Sequence, residues 1–161
     1  MTRKQWLIVI LLLGPVYTAA MVALYWLFWP MPPTLEVLYS HPLFCDRPCE
    51  TREEANAYQI GQVPSGTPNV WHYREIKINA QRVGAIRSSW QSGSFIWNSP
   101  QIATLGSKPG TYTRSVALEP PTSSPTRDFT WRLSFHYDQT PLRNEDIAFP
   151  PVSLRVLAPA Q

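Results

Sequence analysis

The sequence lacks the short motifs that mark the common classes of catalytic and cofactor sites. It contains no Gly-x-Ser-x-Gly nucleophile elbow, no glycine-rich phosphate-binding loop and no His-Glu-x-x-His metal-binding helix. It also shows no constellation of paired carboxylates of the kind used in general acid–base catalysis. We therefore expect a protein that is not an enzyme and that carries neither a cofactor nor a metal ion.

A cluster of charge of one sign is also absent. The formal net charge is +3, but Arg3 and Lys4 precede a long hydrophobic run, and the chain beyond that run carries 12 basic and 11 acidic residues. These charges alternate in sign along the chain, so the sequence predicts no basic face for a nucleic acid.

No charged side chain occurs from Gln5 to Leu35, and residues 6–29 are almost entirely apolar. At about 1.5 Å per residue, a helix of that length crosses a hydrocarbon core about 30 Å thick. A helix also satisfies its own backbone hydrogen bonds, as a lipid environment requires. The sequence therefore predicts one transmembrane helix over residues 6–29, with the lipid bilayer as its partner.

The charges that flank this segment predict its direction. Arg3 and Lys4 precede it, and Glu36 is the first charge after it. By the positive-inside rule, residues 1–5 form a cytoplasmic N-terminus and the rest of the chain is exported.

A cleaved signal peptide is the alternative interpretation of the same segment. The small residues 18–20 are its only plausible cleavage site. The apolar run continues past them to Trp29, which favours an uncleaved signal anchor.

Proline punctuates the chain beyond the hydrophobic segment, where 16 of the 17 prolines lie. We expect residues 30–33 to form a stiff spacer and residues 34–161 to form one exported domain. Apolar and polar side chains alternate in several segments, which is typical of half-buried strands. The fold class predicted is all-β, an immunoglobulin-like β-sandwich behind one transmembrane helix. The seven predicted strands are Thr34–Tyr39, Trp71–Ile78, Arg82–Ser89, Ser94–Trp97, Tyr112–Leu118, Phe129–Tyr137 and Val152–Leu157, with one short helix at Thr51–Tyr58.

Cys45 and Cys49 are the only cysteines. An oxidising compartment favours a disulfide between them, closing a small loop. One alternative is a zinc site completed by the scattered His41, His72 or His136, although their spacing matches no zinc finger. Another is an exported hydrolase or metal-dependent enzyme that uses Cys45 and His41.

The aromatic residues beyond the spacer fall into two groups. Those that alternate through Phe129–Tyr137 are expected in the core. Trp90 and Trp97 flank a turn at Gly93, so we expect them to form an exposed contact patch for a protein partner.

A Gly-x-Tyr sequence precedes the strand at Tyr112. It is similar to the tyrosine corner of immunoglobulin-like sandwiches, in which the phenol hydroxyl bonds a nearby backbone group. Tyr112 is the residue that we assign to this role.

Three segments in order, Lys108–Tyr112, Phe135–Arg143 and Pro151–Val156, form a pattern that resembles small single-span membrane proteins of unassigned function encoded by tailed bacteriophages. The resemblance covers the last third of the chain and the topology. It implies a bacterial inner-membrane protein with its C-terminus in the periplasm. The expected function is a tethered binding or structural module, with a holin- or spanin-like role in lysis as an alternative.

Overall fold

The computed structural model describes residues 3–29, 31–98, 102–140 and 143–159. Met1 and Thr2 of the predicted cytoplasmic N-terminus and Pro30 of the predicted spacer lie outside the described residues, as do Pro141 and Leu142 of the resemblance. The chain folds as one N-terminal helix followed by two β-sheets. The structure confirms the prediction of a mostly β domain that follows one apolar helix.

The N-terminal helix, α1, spans Arg3–Phe28 and has 26 residues. Its most apolar stretch has a mean hydropathy of 2.4, and none of that stretch is buried against the rest of the chain. The helix is therefore long and apolar enough to cross a membrane. Arg3 and Lys4 are exposed in its first turn.

The domain contains twelve described strands and one short helix. The first sheet contains β1 (Leu35–Ser40), β2 (Phe44–Cys45), β3 (Gln59–Ile60), β5 (Val70–Ile78) and β9 (Gly110–Leu118). The second contains β4 (Gln62–Pro64), β6 (Val83–Ser92), β7 (Phe95–Asn98), β8 (Ile102–Leu105), β10 (Arg127–Thr140), β11 (Arg143–Ala148) and β12 (Val152–Leu157). The short helix, α2, spans Arg52–Ala57. All seven predicted strands and the predicted helix correspond to these elements within a few residues.

Strand β5 is the centre of the first sheet. It pairs antiparallel with β9 along one edge and with β1 and β2 along the other. Helix α2 begins where the Thr51 hydroxyl accepts a hydrogen bond from the Glu54 amide at 3.2 Å, which is an ordinary N-cap. Its buried Ala55 packs in a small cluster with Cys45, Cys49 and Tyr73.

Strand β10 is the centre of the second sheet. It pairs with β6 along one edge and with β11 and β12 along the other, and every one of these pairings is antiparallel. Strands β7 and β8 both pair with β6. Strand β4 pairs with β12 in parallel, so the short segment before β5 joins the second sheet and not the first.

Alternating side chains of β5 and β10 form about half of the main hydrophobic core between the sheets. On β10 the five aromatic and aliphatic side chains predicted from the alternation are all buried: Phe129, Trp131, Leu133, Phe135 and Tyr137. Gln139 of the same strand is buried as well. On β5 the buried face includes two polar side chains, His72 and Arg74, beside Val70, Ile76 and Ile78. A histidine and an arginine therefore lie in the interior of the domain.

Candidate functional site

The most exposed apolar side chains of the domain include three consecutive residues of β7. Phe95 is 56% exposed, Ile96 is 59% exposed and Trp97 is 40% exposed. The tight turn that leads into the strand places Gly93 at φ 58°, a backbone conformation that glycine adopts without strain. We call Phe95, Ile96 and Trp97 the β7 edge, because β7 pairs with β6 on one side only among the described residues.

The prediction that Trp90 belongs to an exposed patch is wrong. Trp90 is only 4% exposed, and its ring packs against Phe44 at 5.4 Å and Trp131 at 6.4 Å between centroids. Trp90 lies on β6, which has strands on both sides within its sheet. Its side chain faces the opposite sheet, where Phe44 covers it. Trp97 is its direct cross-strand partner, but it lies on the outermost strand and keeps an exposed surface.

The β7 edge is anchored to the core through aromatic contacts. The Trp97 ring meets Phe129 edge to face at 5.5 Å, and Phe95 lies 5.8 Å from Trp97. The guanidinium of Arg127 lies 5.4 Å from the centre of the Phe95 ring. These contacts hold the edge in one position while leaving apolar surface in solvent, as a preformed binding surface requires.

A groove of about 830 Å³ lies on the second sheet next to this edge. We call it the arginine groove. The polar residues that line it are Arg87, Ser88, Ser89, Asn98, Arg132 and Ser134. Arg87 and Arg132 are exposed, and none of the described residues that line the groove is acidic. The groove can therefore accept carboxylate groups of a partner.

The predicted disulfide is not formed in the structure, where Cys45 and Cys49 are free thiols. Each thiol instead donates to a backbone carbonyl, that of Cys45 to Ala55 at 3.7 Å and that of Cys49 to Arg47 at 3.5 Å. Burial, together with the hydrogen bond to Cys49, raises the pKa of Cys45 to about 12. A thiol with that pKa is protonated at neutral pH, so the geometry does not favour Cys45 as a nucleophile.

Two of the three histidines are neighbours in the interior, where His72 Nε2 lies 3.2 Å from the His41 carbonyl oxygen, and the third lies apart from them. His41 is buried and bonds the Tyr39 hydroxyl through Nδ1 at 3.0 Å, and burial lowers its pKa. His72 is fully buried, whereas His136 lies on the outer face of the second sheet beside Asp146 at 2.9 Å. Within residues 3–29, 31–98, 102–140 and 143–159, no three His, Cys, Asp or Glu side chains are grouped closely enough to hold a metal ion.

The Tyr112 hydroxyl donates to the Lys108 carbonyl oxygen at 2.8 Å. The residue lies near the start of β9, and the bond closes the loop that enters this strand. The tyrosine-corner role remains a prediction.

We expect Tyr112→Phe to lower the free energy of unfolding by about 0.5 to 1.5 kcal/mol, because the bond is solvent-exposed and its loss leaves one carbonyl to water. Urea unfolding of the purified protein measures the change. Tyr58→Phe, at an exposed tyrosine, is the matched control, and an equal loss in both variants would contradict the structural role of Tyr112.

Two features of this surface were not predicted from the sequence. Ile96 was missed because single exposed apolar residues are common on protein surfaces. Arg132 and Ser134 lie on the polar side of the clearest alternating segment, so the polar face of β10 was predictable. That Arg87 of β6 lies beside Ser134 on the same face was not, because it depends on strand pairing. Searches against protein-family models and against curated proteins found no match to this chain.

Proposed function

We propose that this protein is a membrane-tethered, non-enzymatic module that binds a protein partner through the β7 edge and the arginine groove. The observation that carries the proposal is the run of three exposed apolar side chains on an outermost strand. An exposed strand with apolar side chains is a hazard unless something covers it. The other strands of the domain are mostly well packed. A bound partner that covers β7 would explain why this strand keeps apolar side chains on its surface.

The chemistry of this surface specifies the partner segment. An outermost strand offers backbone amide and carbonyl groups to an added strand, while pockets for alternate side chains supply specificity. The neighbouring arginines of the groove attract carboxylates. We therefore infer that the partner presents an extended segment in which apolar residues alternate with acidic ones.

The tether limits where such a partner is met. With α1 in the inner membrane of a bacterium and Arg3 and Lys4 on the cytoplasmic side, the domain lies in the periplasm. The resemblance to phage-encoded single-span proteins supports the same placement. Superinfection exclusion, lysis and virion assembly are each compatible with a tethered binding module of this kind.

We further infer that the sandwich is immunoglobulin-like, of the variable type. The supporting features are the strand order β4-β12-β10-β6-β7 in one sheet and the order β1-β5-β9 in the other. A buried tryptophan on the strand equivalent to C, here Trp90 on β6, is a further feature of that fold. In this alignment Tyr112 lies on the strand equivalent to E, one strand before the usual position of a tyrosine corner.

A photo-crosslinking amino acid placed at Ile96 tests the proposed function. We expect it to form a single main adduct in the native host, with an extended acidic and apolar segment of one protein. The same amino acid at Val83, which is 62% exposed and lies outside the β7 edge, is the matched control. The double variant Phe95→Ser with Trp97→Ser should reduce the adduct at least about tenfold, because exposed aromatic anchors dominate interface energies.

Two outcomes would contradict the proposal. One is equal crosslinking from Ile96 and Val83, and the other is a main adduct with lipid instead of protein. Circular dichroism of the double variant separates lost binding from lost folding, since both substituted side chains are exposed.

A further inference from the structure

A second cavity, of about 210 Å³, lies between the two sheets. Its walls are mainly apolar, and its apolar lining comes from Leu35, Ile76, Ile78, Ile86 and Phe135. Two arginines, Arg74 and Arg114, line the same space. The cavity is separate from the arginine groove and has no part in the proposed function.

Arg74 is buried in this cavity without an ionic partner. It is 7% exposed, and its Nε and Nη1 atoms donate no hydrogen bond to any of the described residues. The guanidinium lies 5.0 Å from the ring centre of Phe149 and 5.6 Å from that of Phe135. These rings compensate only part of the cost of removing a cation from water.

Arg114 brings a second positive charge to the same place. It is the direct cross-strand partner of Arg74 on β9, and like charges in that position repel each other. Burial, with a further contribution from Arg114, lowers the pKa of Arg74 to about 10. Arg74 therefore remains a cation at neutral pH, and the pair lowers the stability of the domain unless an anion joins it.

Glu145 is the cross-strand partner of Tyr137, which lines the cavity, but its carboxylate is already engaged. Glu145 accepts a hydrogen bond from the Thr34 amide at 3.0 Å and another from Gln139 Nε2 at 2.8 Å. No ion pair involves Arg74 or Arg114 in the part of the chain that the structure describes. No carboxylate of the described residues therefore neutralises this pair of arginines.

We propose that this cavity binds a small amphipathic anion, with a carboxylate or phosphate head between Arg74 and Arg114 and a short apolar chain against Ile76, Ile78 and Ile86. Arginine pairs bidentately with both kinds of head group. An apolar pocket with a few convergent polar groups is the usual form of a small-molecule site. Ser107 and Arg114 are exposed, so the head group reaches the cavity from that side.

The place of the cavity in the fold is consistent with an amphipathic ligand. Leu35 lines it and follows α1 after a short connection, and Arg143 Nη1 bonds the Trp29 carbonyl at 2.7 Å. The cavity therefore lies at the end of the domain where the chain leaves the helix. If α1 spans the bilayer, this is the end that faces the lipid.

Thermal unfolding of the full chain in a non-ionic detergent tests the proposal, with hexanoate as the probe. We expect hexanoate to raise the melting temperature of the wild type in a saturable manner, and hexanol, which has the same chain without a charge, to have little effect. Hexyl phosphate is the second arm, and a larger effect from it than from hexanoate identifies the head group as phosphate.

Three variants locate the effect. Arg74→Met should weaken hexanoate binding at least about 30-fold, the loss expected when one partner of a buried charge pair is removed. Without ligand it should be at least as stable as the wild type, because it removes an unpaired buried cation. Arg114→Gln should weaken binding less, since Arg114 is exposed. Arg87→Gln, in the arginine groove, is the matched control and should leave hexanoate binding unchanged.

The outcomes distinguish this site from the others. Equal responses to hexanoate and hexanol would overturn the anion site, since they would show that the cavity accepts any apolar chain. A response that is lost in Arg87→Gln and kept in Arg74→Met would also overturn it, by moving the anion to the arginine groove. Neither result depends on whether the β7 edge binds a protein.

Discussion

Replacing Trp131 with alanine is expected to lower the free energy of unfolding of the domain by about 3 to 5 kcal/mol. Trp131 is 1% exposed and is the largest fully buried side chain of the described residues. Its ring contacts His72 at 4.9 Å and Phe44 at 6.0 Å, so it joins the central strands of both sheets. Its indole nitrogen also donates to the Ser88 hydroxyl at 2.9 Å, and the substitution leaves that hydroxyl without its donor.

Urea unfolding of the full chain in detergent, followed by near-ultraviolet circular dichroism, measures this loss. Trp97→Ala is the matched control, because Trp97 is 40% exposed and lies on the outermost strand. We expect it to cost about 2 kcal/mol, in proportion to the smaller apolar area that it buries. Similar losses from the two variants would contradict the placement of Trp131 at the centre of the core.

The strands were predictable where one face is apolar and the other polar. The side chains of Phe129–Tyr137 alternate without interruption, and a strand between a core and solvent produces that period of two. The short helix was predictable from Thr51 and the acidic residues after it, because an N-cap and a negative first turn act locally. Signals of this kind depend on neighbours in sequence and need no knowledge of the tertiary fold.

The difference between Trp90 and Trp97 was not predictable from the sequence. Both flank the turn at Gly93, and the two are direct partners across the hairpin, so their side chains point to the same side. What separates them is that β6 has neighbours on both sides and β7 has one among the described residues. The order of strands in a sheet depends on pairings between distant segments, which a single sequence does not display.

The buried polar residues were missed for a related reason. His72 and Arg74 lie on the same inward face of β5 as Val70 and Ile76. A prediction from alternation assigns polar residues to the solvent side of a strand, so it misses them. The position of Gly84 also could not be predicted from local sequence. It is typical of a turn in sequence, but it lies within β6, where an added Cβ would collide with the Tyr137 ring.

Acidification from neutral pH to about pH 4 is expected to destabilise the domain by about 3 kcal/mol through His72 alone. Burial, and secondarily the charge of Arg74, lowers the pKa of His72 from 6.5 to about 4. The ring is fully buried, and its Nε2 lies 3.2 Å from the His41 carbonyl oxygen and 3.3 Å from the Ser40 hydroxyl. Below pH 6.5 the unfolded chain binds a proton that the folded domain excludes, so stability falls with pH until both states are protonated.

Urea midpoints measured between pH 7 and pH 4 test this dependence in the full chain. His72→Gln keeps a donor for the His41 carbonyl but removes the titrating group, so its stability should change less with pH than that of the wild type. The fall that remains in that variant is expected to include a contribution from His41, whose pKa is lowered by burial as well. His136→Gln, on the outer face of the second sheet, is the matched control for the loss of one histidine. If the two variants show the same pH dependence, His72 is not the group that makes the domain sensitive to acid.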